Sequence, residues 1–312
     1  MANPRPLAIV CLSGATLDRK YRAAAPLSPA TSNPATASVH FGGVARNICE
    51  TLARLGVAAG LHSLTGDDAA GAALAAHLAA TGADVSGLRI VPEQATAEYA
   101  AVLEPTGELA FGLAAMAIFD SFGIADADAA LARKPVWIFA DCNLPAPVLR
   151  HLIAACRDCG QKLAVDGVSA PKIRRLPADC AGIDTLFLNA DEAAALLGEQ
   201  RPPVESAAKL RARGIANVVL TLGPQGLVVD EGGSIRHLPA RNVAVRDATG
   251  AGDALIAATL ARLLAGDSLA TAAAIGAYAA ALTLASPHSV RPDLAQALAA
   301  LVAGDTPDAC HA

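Results

Sequence analysis

The chain has 312 residues; 54% are hydrophobic, only 3% aromatic and 17% charged, and the net charge is −5. Charged residues average about 25% in globular chains, so this much apolar surface excludes a disordered or low-complexity chain. The acidic balance, with no Lys/Arg run, excludes a nucleic-acid binder that works through a strongly basic surface.

Domains run to about 100–200 residues and single α/β domains to about 250, so one elaborated domain or two domains fit this length. The first apolar run, residues 7–12, is shorter than the ~7–15 residues of a secretory apolar stretch and reads as a buried strand. A Pro/Ser/Thr/Ala segment over 23–38 contains Ser32-Asn33-Pro34 and is expected to be extended or turning. A helix follows Gly42-Gly43 and ends near Gly56. Another is expected over about 67–80. Residues 96–103 and 108–113 flank Pro105-Thr106-Gly107 and read as a β-hairpin inside an α/β pattern.

From Val136 onward Val/Ile/Leu/Phe strands alternate with alanine-rich helices, the signature of a parallel sheet covered on both faces. The strands end in polar residues: Asp141 and Asn143, Asp166, Asn189, Thr221 and Gly223. Ligands of open α/β sheets bind beyond the carboxyl ends of the strands, so these residues outline a candidate site. Helix capping and turn formation explain the same residues equally well.

The seven cysteines lack regular spacing and do not form a disulfide framework. Cys156 and Cys159 make a lone CxxC that closes a helix expected over 147–160, a structural reading rather than a zinc or redox site. A reduced, cytoplasmic setting is expected. The weakly charged stretch between Asp267 and Arg291 is long enough to cross a bilayer. Its Ala, Thr, Ser and Gly content and Pro287 make it a buried helix instead.

Two motifs carry chemistry. Asp247-Ala248-Thr249-Gly250-Ala251-Gly252-Asp253 runs into a helix over 254–264. Its small residues leave backbone N–H groups open at a helix N-terminus, an anion site. Asp253 in the first turn is placed to take a proton from an attacking hydroxyl during phosphoryl transfer. Capping alone accounts for one acid there, but not for three small residues before it. A Walker A loop is absent, and Leu255 stands where a dinucleotide fingerprint needs a third glycine. The second motif is Phe41-Gly42-Gly43-Val44-Ala45-Arg46-Asn47. Its glycines permit close approach of a ligand to the backbone, and Asn47 offers donors and an acceptor in the first helical turn.

Together, in this order and at this separation, the two motifs resemble the paired signatures of the ribokinase-like (PfkB) carbohydrate kinase family, and the resemblance covers nearly the whole chain. Within it, Ser32-Asn33-Pro34, Arg46-Asn47, Asp141-Cys142-Asn143-Leu144-Pro145 and Asp166-Gly167-Val168-Ser169 resemble the pseudouridine kinases. The resemblance implies one α/β kinase domain over 1–312, a three-layer α/β/α fold with a mostly parallel central sheet. A small β-sheet lid would form from about 15–41 and 95–120.

It implies Asp253 as catalytic base, with Gly250, Ala251 and Gly252 as the anion hole. Asp18, at the end of the first strand region, Ser32, Gly42, Gly43, Asn47 and Asn143 would bind the acceptor. Asn189, Thr221, Gly223 and Gly226 would bind ATP. Glu192 would hold Mg²⁺ through water, and Asp247 and Thr249 would hold an activating K⁺. Ala280, Thr283, Ala285 and Ser289 are weaker candidates for the cation site and adenine pocket. The implied partners are ATP and a small nucleoside or sugar, with a homodimer through the lid, no nucleic acid and no membrane. The implied reaction phosphorylates a primary hydroxyl, foremost of pseudouridine. A free sugar such as ribose or a ketose is the alternative acceptor, and a silent ligand-binding relative is the third reading. Three departures from the family pattern stand out: Ala248 where Thr is frequent, Gly167 where Pro is common, and Ala115 and Ala117 where polar lid residues are expected to read a base.

Overall fold

The computed structural model describes residues 6–302. The strands are β1 (Ile9–Leu12), β2 (Thr16–Ala23), β3 (Ala35–Gly42), β4 (Ala59–Gly66), β5 (Asp84–Val91), β6 (Glu98–Leu103) and β7 (Leu109–Ala115). They continue with β8 (Trp137–Asp141), β9 (Lys162–Asp166), β10 (Thr185–Asn189), β11 (Asn217–Thr221), β12 (Leu227–Glu231) and β13 (Ser234–Leu238). The helices are α1 (Val44–Arg54), α2 (Ala69–Ala80), α3 (Ile124–Ala132), α4 (Ala146–Cys159) and α5 (Ala170–Ile173). After them come α6 (Ala190–Leu197), α7 (Pro203–Arg211), α8 (Ala251–Leu264), α9 (Leu269–Leu284) and α10 (Leu294–Val302).

Nine strands form the main sheet in the order β13-β12-β11-β10-β9-β8-β1-β4-β5. From β11 to β5 every pairing is parallel, and β12 and β13 close the other edge antiparallel. Strand residues alternate between two cores, as a sheet covered on both faces requires. Val10, Leu12, Ile138 and Ala140 join Ala127, Leu149, Ala193 and Ala207 of α3, α4, α6 and α7. Ile9, Cys11, Trp137 and Phe139 join Ile48, Leu74, Leu255 and Ala273 of α1, α2, α8 and α9. The result is a three-layer α/β/α sandwich.

Alanine sets the spacing of the layers. At Gly276 of α9 a Cβ would lie 2.2 Å from Thr259 Oγ1 and 2.6 Å from the Leu255 carbonyl of α8. Small side chains thus let the two helices nearly touch through their backbones. The weakly charged stretch is α9, a buried helix as expected, and no helix among the described residues is long and apolar enough to cross a membrane. The CxxC closes α4, with Cys156 buried and Gly160 in the left-handed cap.

Four strands form a separate small sheet in the order β3-β2-β6-β7. The hairpin expected around Pro105-Thr106-Gly107 is β6–β7. The segment over 23–38 is less irregular than its composition indicates. Residues 16–23 and 35–42 pair antiparallel, and the turn lies between them. Asp18 is accordingly not at the end of the first strand. It sits within β2 of the small sheet, paired with His40 and Tyr99.

Candidate active site

The late motif builds a cradle at the start of α8. Gly250 adopts φ 81° as its N-cap, and a Cβ there would lie 2.0 Å from the Ser289 carbonyl. Only glycine fits, and the contact places Ser289 against the loop. At Gly252 a Cβ would meet nothing within 4 Å, so this side of the loop faces open space. The first amides of a helix have no partner from a preceding turn. Here they face that space together with the positive end of α8.

Asp253 is recessed beside the cradle and accepts a 2.7 Å hydrogen bond from Asn47 Nδ2. Burial raises its carboxyl to about 6, Asp141 adds to the rise, and the Asn47 hydrogen bond and the Arg46 charge oppose it. A carboxylate that titrates near 6 is ionised at neutral pH yet basic enough to accept a hydroxyl proton. Asn47 reaches it because Gly43, at φ 96°, starts α1 in a conformation that L side chains rarely adopt, with its backbone close to Gly14.

Asp18 faces the same Arg46 from the small sheet. Thr16 Oγ1 donates to its Oδ1 at 2.8 Å, and a Cβ on Gly42 would lie 2.2 Å from its Oδ2. Gly42 therefore makes room for the carboxylate. Burial raises the Asp18 carboxyl, against the pull of Thr16 and of Arg46. The strand register puts Tyr99, Ala114 and Gly112 on the face that bears Asp18. The Tyr99 hydroxyl lies over Gly112, where a Cβ would be 2.5 Å away, so the ring spreads across the sheet. Ala115, Phe111 and Leu113 lie on the opposite face. Ala115, expected as a base-reading position, therefore points away from Asp18.

At the ends of β8, β9 and β10, carboxylates gather. Asp141 is fully buried; its Oδ1 accepts from Ser13 Oγ at 2.7 Å and from the Asn143 amide at 2.8 Å, while Oδ2 has no partner among the described residues. Burial raises Asp166 well above the carboxylate range, and Glu192, Asp141 and Asp253 add to the rise. Asn143 Oδ1 accepts from Lys172, and Arg175 donates to the Cys142, Asn143 and Leu144 carbonyls. Asn189 and Glu192 form a reciprocal capping box. The Asn189 amide and Nδ2 donate to Glu192 at 3.0 and 2.8 Å, and the Glu192 amide donates to Asn189 Oδ1 at 2.9 Å. A Cβ on Gly167 would lie 2.7 Å from Glu192 Oε2, so the departure at Gly167 lets this carboxylate come close.

No group of three metal-ligating side chains occurs among the described residues. Both Glu192 oxygens are already engaged by Asn189. The described side chains build no metal cage of their own, and Glu192 would meet Mg²⁺ only through water, as an ion that keeps several waters and binds largely through phosphates allows.

The remaining candidates divide. Thr221 ends β11 and donates to the Leu188 carbonyl at 3.3 Å, at the same sheet edge as Asn189. Gly223 opens onto free space, whereas Gly226, at φ 92°, is pressed against the Leu238 carbonyl and serves the turn into β12. Thr283 is buried and donates to the Ala279 carbonyl within α9. Ser32 is exposed and makes no hydrogen bond among the described residues; Asn33 organises that turn by bonding Ser28 and Thr31. Asp247 Oδ1 accepts from the Thr249 amide at 2.8 Å, and Lys20 lies 3.5 Å from Oδ2. Burial raises Asp247, but Thr249 and Lys20 outweigh it and hold the carboxyl below its ordinary range. Sequence reasoning gave no role to Arg46, Lys20 or Lys172. Only Arg46 carried a signal: Glu50 stands four residues on and Arg54 eight, an i, i+4 charge series along one helix face.

Comparison with known proteins agrees with this geometry. Residues 8–295 match the model of the pfkB family carbohydrate kinases. The pseudouridine kinase of Escherichia coli (strain K12) is 29% identical over 295 residues, covering 92% of this chain and 93% of that one. A carbohydrate kinase from Agrobacterium tumefaciens superposes with TM-score 0.79 at 29% identity, covering 93% and 96% of the two chains. The Arabidopsis thaliana ribokinase complexed with ribose and ATP superposes with TM-score 0.77 at 20% identity, covering 94% and 99%, a likeness of fold. An anion cradle beside a recessed carboxylate, on a ribokinase-like fold that the family model spans almost end to end, leads to one assignment: the chain belongs to the pfkB family of carbohydrate kinases, phosphotransferases that act on a hydroxyl group.

Proposed function

We propose that the protein is a Mg·ATP-dependent kinase that phosphorylates the primary hydroxyl of a nucleoside, pseudouridine foremost. The observation that carries this reading is Asp253, recessed and hydrogen-bonded to Asn47, beside the open amides of the α8 cradle. Asp18 and Asn47 hold the acceptor sugar, and Asp253 takes the proton of the attacking hydroxyl. The amides of 250–252 receive the charge that spreads over the phosphoryl oxygens in the transition state. Asn189, Thr221 and Gly223 flank the nucleotide, and Glu192 would hold Mg²⁺ through water, where the metal would neutralise phosphate charge.

The similarity to a pseudouridine kinase over 92% of the chain supports a nucleoside acceptor. Tyr99 supports it as well: of the sparse aromatics near the small sheet, it alone shares a face with Asp18, whereas Phe41 stacks on His77 at 4.8 Å and Phe111 lies on the other face. A flat ring there suits a planar base. Ala114 beside it offers no hydrogen bond to the base, which keeps a free sugar as the second acceptor to test. A K⁺ beside Asp247 has weaker support, because Thr249 and Lys20 already engage that carboxylate.

The outer face of the small sheet supports a homodimer through the lid. Val39, Phe111 and Leu113 lie on it with 52, 63 and 63% of their surface exposed. A coupled ADP-release assay over pseudouridine, uridine, other nucleosides, ribose and ketoses tests the function. Turnover with pseudouridine above all others is expected. Turnover with free sugars alone would replace the nucleoside reading, and binding without turnover would replace the kinase reading.

A further inference from the structure

Arg46 is buried behind the acceptor pocket, and the proposed chemistry leaves it without a role. It lies in the first turn of α1, where its guanidinium donates to three acceptors: the Glu50 carboxylate one turn on, the Phe41 carbonyl, and Asn47 Oδ1. Guanidinium is donor-only, so the oxygen of the Asn47 amide must face it. The other end, Nδ2, then donates to Asp253 Oδ2 at 2.7 Å. The flipped amide would set NH₂ against guanidinium and oxygen against carboxylate, two repulsions at once. Glu50 anchors the far end: its Oε1 accepts from Arg54 at 2.9 Å, and His77 lies 3.2 Å from Oε2. A buried line therefore runs Glu50–Arg46–Asn47–Asp253 and links α1 to α8.

The groups facing Asp253 are Asn47 and Arg46 from α1, Asp141 at the end of β8 and Asp166 at the end of β9. Arg46 in turn faces Glu50 on its own helix, Asp253 on α8 and Asp18 on β2. It is a buried cation set among carboxylates that would otherwise repel one another. We propose that Arg46 is the positioning residue of the catalytic base: it fixes the Asn47 amide so that its donor meets Asp253, and it supplies the positive charge facing that carboxylate. This rests on the reading of Asp253 as the base. Burial lowers the Arg46 pKa but Glu50 and Asp253 counter it, and guanidinium remains charged in proteins.

The test compares Arg46→Met, Arg46→Met/Glu50→Gln, Arg46→Lys and Asp253→Asn. The double variant spares the fold an unpaired buried carboxylate. Circular dichroism reports folding, and kcat and both KM values are followed from pH 5 to 9. In the Met variants kcat should fall about 10–100-fold, the same order as for outer-shell partners that orient ligands in metal sites. The ATP KM should hold, and the acidic limb of kcat should move to higher pH, a shift that a merely structural role does not produce. Lysine keeps the charge but lacks the planar fork, so Arg46→Lys should keep the limb near its wild-type position while turnover stays low. A folded Met variant whose limb stays at the wild-type position overturns the proposal. If neither Met variant folds, full turnover by Arg46→Lys overturns it. Turnover retained by Asp253→Asn would instead overturn the base assignment, so the two failures are distinguishable.

Discussion

Replacing Asp253 by Asn should produce an enzyme that is both inactive and more stable. Asparagine keeps the shape of the side chain and an oxygen for the Asn47 donor, but it cannot accept the substrate proton. Turnover should fall by ~10²–10⁴, the usual contribution of a general base. The stability gain follows from the raised carboxyl, which moves from 3.8 to about 6 on folding. At ~1.4 kcal/mol per pKa unit, holding this group ionised costs the fold about 3 kcal/mol at neutral pH. The sign follows from the direction of the shift: the folded value lies above the unfolded one. The group's stabilising contribution is therefore complete below 3.8 and is lost as pH rises through about 6. Asparagine carries no such dependence. Urea unfolding at pH 7.5 should show the variant more stable by up to about 3 kcal/mol, and at pH 5 by roughly half as much. Unchanged turnover would refute the role of the base. A stability gap that does not vary with pH would refute the claim that burial of its charge is the cause.

Three further outcomes are expected. The wild-type kcat should decline as pH falls through about 6, the Asp253 value, and a limb set near the ordinary carboxylate range would show that another group controls protonation. Gly42→Ala places a methyl 2.2 Å from Asp18 Oδ2 and must displace that carboxylate. Losing hydrogen bonds to a charged group costs ~1.5–3 kcal/mol, so the acceptor KM should rise about 10–150-fold with the ATP KM unchanged, and a wild-type acceptor KM would remove Asp18 from the pocket. Phe111→Lys puts a charge on the exposed face of the small sheet and should shift native mass from dimer toward monomer at micromolar concentration. A wild-type mass profile would place the dimer contact elsewhere.

Much of the site was legible because its chemistry is local. The loop over 247–253 and the Gly42-Gly43…Asn47 turn each set their geometry within a few residues. Glycine is required at 43 and 250 by backbone conformations that other residues rarely adopt, and the Asn189–Glu192 box closes within one helical turn. The small sheet was less legible. β3 is exposed along most of its length and β2 is only partly buried, so neither shows the apolar alternation that marks a half-buried strand. Asp18 was accordingly placed at the end of the first strand region, and which face of the small sheet each lid residue takes is fixed only by the pairing, because a shift of one residue along a strand reverses the direction of the side chain.

The sequence by itself determined the layered α/β plan and the two glycine turns, and it singled out the proposed base. These follow from periodicity and from backbone conformations that act over a few residues. Only the tertiary structure decided the company that base keeps. Asn47 and Asp253 are 206 positions apart, and strand order and helix packing alone bring them together. Folding also places the carboxylates at the ends of β8 and β9 near Asp253, with Arg46 of α1 facing Asp253 itself. Charge acts through space and not along the chain, so the electrostatics of the site appear only once the layers have closed.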